Sequence, residues 1–191
     1  MRDSDIRKIL RETILKKFIG DSNSIIVDEL NIPITKSRID IAVVNGHLHG
    51  FEIKSDRDTL SRLPHQIEGY TKVFDYLTVV TENKHHKKIM ELIPDWVGIK
   101  VCIETKKSNK VVTIRKSSIN RNKEAFFLAK LLWREEVERI LFIQQISFSK
   151  KDTLWKLCEL LGDNMPITKL STIVRETLKS RKGWKLKEYY A

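Results

Sequence analysis

The sequence predicts an α/β protein: a three-layer core around a mixed central sheet, followed by an all-helical C-terminal extension. Three observations carry this. Short runs rich in Val, Ile and Leu alternate with amphipathic helical stretches as far as residue 116. An Asn-Gly pair at 45–46 joins two of the strand-like runs. Beyond Ser117 only helical periodicity continues. The division expected from this change is a core over residues 1–118 and a basic helical extension over 119–191.

Ile6, Ile9, Leu10, Ile14 and Phe18 recur at helical spacing and Gly20 follows them, which predicts a helix over 4–19. Residues 25–30 form a short strand candidate, closed by Pro33 and a polar turn. The runs 38–44 and 47–55 read as a hairpin about Asn45-Gly46, a two-residue turn in which both positions accept positive φ. Pro64 suits a first helical turn, and the stripe Ile67, Tyr70, Val73, Phe74 carries that helix to Asp75. A buried strand over 76–81, a helix over 83–93 and strands over 97–104 and 110–116 complete the core. Helices then cover 123–146, 150–161 ending at Gly162, and 166–181 opening at Pro166.

With 191 residues, 41% hydrophobic and 32% charged, the chain suffices for one domain with a small appendage, which excludes a disulfide scaffold and a disordered tail. Its 36 Lys and Arg against 25 Asp and Glu give a net charge of +11, which favours polyanionic partners. The charge is unevenly placed. Up to residue 104 there are 16 basic and 16 acidic residues, and after it 20 and 9. Cys102 and Cys158 stand 56 positions apart, without CxxC or Cys/His ligand spacing, which suits a reducing compartment and argues against structural zinc. The charged start and the lack of an eighteen-residue apolar run point to a cytoplasmic protein without a membrane partner.

Alternation along the hairpin places Arg38, Asp40 and Ala42 on one side and Ile39, Ile41 and Val43 on the other, while Glu52 and Lys54 share a face. With a slightly offset register the turn brings Asp40 near Glu52, gathering two carboxylates and an ammonium. That trio suits metal-assisted phosphodiester hydrolysis. A hard cation such as Mg²⁺ or Mn²⁺ takes one or two carboxylates together with waters and phosphate oxygens, and the ammonium offsets charge on the phosphoryl group.

Asp40 followed by Glu52-Ile53-Lys54 resembles the motif of the PD-(D/E)xK nuclease superfamily, with Ile39 where the name-giving proline would stand. The resemblance covers roughly residues 4–104, and Gln66-x-x-x-Tyr70 has the spacing and place of the QxxxY motif of its RecB-type branch. It implies a restriction-endonuclease-like core and a Mg²⁺- or Mn²⁺-dependent deoxyribonuclease. On that reading Asp40 and Glu52 hold the metal, the Ile53 carbonyl is a further ligand, Lys54 supports the nucleophile, and Gln66 and Tyr70 support the site and the substrate. Related restriction-type members use an upstream glutamate, which nominates Glu29, with its neighbour Asp28 pointing the other way.

Between 106 and 123 lie Lys106, Lys107, Lys110, Arg115, Lys116, Arg121 and Lys123 with no acidic residue among them, and 179–187 adds five more basic residues around Trp184. Both runs are candidates for nucleic-acid backbone contact, with DNA expected and RNA the other polyanion they would accept. The stretch AFFLAKLLW at 125–133 reads as a packing face. Two other functions fit the same features. One is a catalytically silent nuclease-fold module that binds DNA; the other is an interaction subunit whose C-terminal helices dock a larger repair or defence assembly.

Overall fold

The computed structural model, described over residues 1–33, 35–104 and 109–181, contains one six-stranded sheet whose spatial order follows the chain. Strands β1 (Ile25–Ile32), β2 (Ser37–Val44) and β3 (Leu48–Lys54) form an antiparallel meander. Strand β4 (Tyr76–Glu82) lies parallel to β3, β5 (Gly98–Glu104) parallel to β4, and β6 (Asn109–Arg115) antiparallel on the outer edge. Parallel neighbours need a crossover, and helices α2 (Leu63–Thr71) and α3 (His86–Leu92) supply the two. All five interior positions of β4 are buried, as expected of a central strand covered on both faces.

Two apolar layers sandwich the sheet. On one face, α1 (Asp3–Glu12) sets Ile6, Ile9 and Leu10 against Ile41, Val43, Phe51, Ile53 and Val80. On the other, α2 and α3 pack with α4 (Ala125–Ala129), α5 (Arg134–Ile143), α6 (Leu154–Asn164) and α7 (Ile167–Ser180). The sheet residues Val27, Leu30, Leu77 and Val79 belong to the same buried cluster as Leu128, Val137, Leu157, Leu170 and Val174. The mixed α/β class and the three layers therefore agree with the sequence. The expected division at 118/119 does not separate two cores, because the last four helices complete the layer that α2 begins. Asn120, buried at this junction, donates from Nδ2 to the carbonyls of Thr71 (2.5 Å) and Phe74 (2.9 Å).

Several boundaries differ from expectation for local reasons. The first helix stops at Glu12, where Thr13 leaves helical geometry (φ −115°, ψ −83°) and its hydroxyl donates to the Ile9 carbonyl. A 3-10 turn over Lys16–Phe18 follows, ending near Gly20 at φ 79°. The hairpin turn has three residues, because Val44 pairs with Leu48. Asn45 acts through its side chain, which accepts from the His47 N–H at 2.9 Å, and neither Asn45 nor Gly46 adopts positive φ. The long helix foreseen over 123–146 is two helices, with α5 restarting after Trp133, whose N–H donates to Glu136. Helix α6 continues through Gly162, where a Cβ would come within 3.1 Å of the Phe126 nitrogen on α4.

His49 on β3 gives the fold a measurable pH response. Its ring stacks on Phe51 with centroids 4.3 Å apart, and Nε2 lies 2.9 Å from Thr78 Oγ1. Burial, then the charges of Lys100, Lys17 and His47, depress its pKa to about 3. The unfolded chain therefore binds a proton below about pH 6.5 that the folded chain refuses until about pH 3, so stability falls as pH drops through this window. Chemical denaturation should show up to about 1.4 kcal/mol lost per pH unit from this residue. His49→Gln should remove that part of the slope, and an unchanged slope would assign it elsewhere.

Candidate active site

In the β2–β3 ladder Ala42 pairs with Gly50 and Ile41 with Phe51, the last pair, so Asp40 and Glu52 are the next residues on their strands beyond the end of the ladder. The main-chain ladder ends there, and Asp40 Oδ2 accepts the Ile53 N–H at 2.6 Å. The phase of the strand changes at the same point. Ile39 packs with Ala42 and Val44 under α2, while Ile41 and Val43 face α1, which corrects the grouping of Ile39 with the latter two. Strand β1 shifts alongside, with Glu29 at φ 54° between Val27 and Leu30, both in the α2 layer. Gly50 makes room for the displaced side chain, since a Cβ at that position would lie 2.7 Å from Ile39 Cδ1. A side chain that replaces a ladder hydrogen bond frees the backbone to twist, and Asp40 does so here.

Glu52 and Lys54 share a face as alternation requires, and both are buried. Lys54 Nζ donates to Glu52 Oε1 at 2.8 Å and to Gln66 Oε1 at 2.9 Å. The Tyr70 hydroxyl lies 2.9 Å from Glu52 Oε2 and 3.0 Å from the Arg38 carbonyl. Gln66 and Tyr70, one turn apart on α2, are themselves linked at 3.4 Å. Helix α2 thus reaches into the site with two polar groups, one holding the ammonium and one holding the carboxylate. Tyr70 is fully buried, with its ring in the core and its polar tip on Glu52.

Burial, and after it the Glu52 charge, push the Asp40 carboxyl up to about 8 despite the opposing Ile53 N–H and Arg7. Burial likewise raises Glu52 against the opposing effects of Lys54, Tyr70 and Gln66, and burial followed by Glu52 raises the Tyr70 hydroxyl. Loss of hydration by burial thus outweighs what Arg7 and Lys54 contribute to the charged forms of the two carboxylates.

The residue that sequence reasoning missed is Arg7 on α1. Its Nη2 donates to Asp40 Oδ1 (2.6 Å) and Glu29 Oε1 (2.5 Å), its Nη1 to the Asp40 carbonyl (2.7 Å), and its Nε to Asp3 (2.6 Å). A signal was present: Arg7 and Arg11 stand four apart on the polar flank of an amphipathic helix. Arg11 donates to both oxygens of Asp28, and Asp28 also lies 3.9 Å from Arg7. The expectation that Asp28 and Glu29 point apart therefore fails, because positive φ at Glu29 turns its side chain toward the same arginine. Arg7 Nη2 contacts both Glu29 and Asp40, so Glu29 meets the site through this guanidinium.

A sequence profile for the family described as Bacteriophage P4 protein cII matches residues 2–190. The chain belongs to this family. Protein cII of Enterobacteria phage P4 is 27% identical over 182 residues, which span 95% of this chain and 68% of the phage protein. Among solved structures, a Silicibacter pomeroyi protein of unknown function aligns with a TM-score of 0.42 and 15% identity, over 72% of this chain and 92% of its own.

In this cII-family chain the described residues contain no group of three or more His, Cys, Asp and Glu side chains placed to hold a metal, and no helix long and apolar enough to cross a membrane. The Asp40–Glu52 pair is a two-carboxylate set. Its donor chemistry fits a hard divalent cation that keeps waters and phosphate oxygens in its remaining positions. The contact Ile53 makes with the site is its N–H on Asp40.

The basic residues divide into two groups. Lys106 and Lys107 lie outside the described residues, as does the tail from 182 onward. Lys110, Lys116 and Arg121 are exposed. Arg115 and Lys123 are engaged within the protein, contrary to their expected role on the surface. Arg115 binds the carbonyls of Val97 and Pro94 and the Asp95 carboxylate. Lys123 is ion-paired with buried Asp75 and lies 3.2 Å from Ser171 Oγ.

Proposed function

We propose that this cII-family chain is a metal-dependent nuclease that hydrolyses phosphodiester bonds of DNA on a restriction-endonuclease-like core. The observation that carries the reading is the placement of partly buried Asp40 and buried Glu52 at the end of the β2–β3 ladder, with Lys54 on Glu52 and Gln66 and Tyr70 behind them. The order helix, three-strand meander, crossover helix and parallel strand supports it. A bound Mg²⁺ or Mn²⁺ would supply an activated water and a charge clamp on the phosphoryl oxygens. Asp40 and Glu52 hold it, and Tyr70 fixes the Glu52 rotamer. Lys54 places an ammonium where charge develops on the phosphate, and Gln66 aims that ammonium. Exposed Lys110, Lys116 and Arg121 offer phosphate contacts outside the site. A cytoplasmic role in repair, restriction or mobile-element conflict matches this chemistry by analogy of fold.

The test incubates purified protein with linear, circular, single-stranded and branched DNA in Mg²⁺, Mn²⁺ or EDTA. Cleavage in either metal and none in EDTA is the expected result. Tight DNA binding without cleavage of any substrate would sink the reading. Lys54→Ala should keep Mn²⁺ binding yet lose about 10²- to 10³-fold in rate, the usual scale for one electrostatic contact to a developing charge. An equal loss of metal affinity would make Lys54 a structural counter-ion of Glu52.

A further inference from the structure

We infer that Arg7 is an internal counter-ion of the active site, a guanidinium that neutralises Asp40 when no metal is bound and competes with the metal for it. The inference rests on the nuclease reading above and concerns how its cation site is guarded. Arg7 binds Asp40 twice, at Oδ1 and at the main-chain carbonyl, with its fork shared between Asp40 and Glu29. The other Asp40 oxygen is held by the Ile53 N–H, so every polar atom of this carboxylate already has a donor. A divalent ion that binds Asp40 must do so beside a positive group 2.6 Å from Oδ1, and like charges at that range in a largely buried site oppose each other strongly.

The surroundings give Arg7 somewhere to go. Its side chain is 20% exposed and lines an open cleft of about 970 Å³ between α1 and β1, together with Asp3, Lys8, Arg11, Lys16 and Asp28. Asp3 and Glu29 contact the same guanidinium from the solvent side, at 48% and 43% exposure. Asp3 and Glu29 thus offer the guanidinium acidic partners other than Asp40. The arrangement contrasts with Lys54, which is buried and whose ion pair among the described residues is with Glu52, bridged to Gln66.

The experiment measures Mn²⁺ affinity directly, by calorimetry or electron paramagnetic resonance, without substrate. Arg7→Gln should bind Mn²⁺ at least about tenfold more tightly than the wild type, because one opposing charge is removed from the first contact of Asp40. Arg11→Gln is the control. It removes the same charge one turn away, on Asp28, and should shift affinity much less. Equal or weaker binding by Arg7→Gln, or an equal gain in Arg11→Gln, would overturn the inference and leave the nuclease reading standing. No Asp40-dependent Mn²⁺ binding in the wild type or in Arg7→Gln would overturn both. Should Arg7→Gln fail to fold, a Mg²⁺ titration of the wild type followed by the arginine Nε–H resonances gives the answer. The Arg7 signal should shift with the binding midpoint, and a signal unmoved at saturation would refute the displacement.

Discussion

Asp40→Asn and Glu52→Gln should each reduce metal-dependent hydrolysis by about 10³-fold or more, equivalent to roughly 4 kcal/mol of transition-state stabilisation, while the chain still folds and melts cooperatively. The two readouts separate for a physical reason. Each amide keeps one oxygen to accept one of the two existing hydrogen bonds, from the Ile53 N–H or Arg7 at 40 and from Tyr70 or Lys54 at 52, and loses the other. Each also relieves the repulsion between the two carboxyls but leaves a cation, Arg7 or Lys54, short of its charge partner, so the two effects on folding oppose each other while the effect on the metal does not. Activity and thermal melts on the same preparations provide the check. Wild-type turnover in either variant would show that the carboxylates do not hold the metal, and loss of fold in both would make the pair a structural feature.

Lys123→Gln should destabilise the whole chain by roughly 3 kcal/mol, at the lower end of what breaking a buried ion pair costs. Asp75 sits at the entry to β4, accepts the Leu48 N–H at 2.8 Å and is buried, with Arg175 no nearer than 3.9 Å. Without Lys123 its charge keeps one hydrogen bond and one distant partner. Lys116→Gln, an exposed neighbour in the same basic run, should leave the urea midpoint unchanged. In nucleic-acid binding the expected order reverses: Lys116→Gln lowers the salt slope by about one unit. A Lys123 variant as stable as wild type would return that residue to the surface set.

Much of the fold could be read from local chemistry. Alternation of Val and Ile with polar residues marked β2 and β3, Pro64 marked the start of α2, and Gln66 and Tyr70 stand on one helix face because four residues make about one turn. What was not legible depends on partners distant in sequence. The break between α4 and α5 falls inside a run whose apolar periodicity never lapses, so periodicity alone does not mark it. The phase change at Ile39 arises because Asp40 bonds a residue 13 positions away, and strict alternation cannot express that. Arg7 escaped notice because its partners Glu29 and Asp40 come from two strands that meet it only in the assembled fold. Lys123 and Arg115 look like any other members of a basic run until Asp75 and Asp95 are beside them.

The layer shared by α2 and the last four helices bears on how the chain is made. The meander β1–β3 joins neighbours in sequence and can pair as soon as it leaves the ribosome, and α1 already covers one of its faces. The opposite face, with Val27, Leu30 and Ile39 and with Leu77 of β4 beside them, waits for Leu128 through Val174, about fifty to a hundred and fifty residues later in synthesis. Translation at about 5–20 residues per second leaves that apolar surface open for several seconds. During this interval the nascent chain is a client for hydrophobic capture, by a chaperone or by another copy of itself. Slowing synthesis across residues 125–174 would lengthen that exposure and lower the soluble yield, with no change in the finished protein's stability.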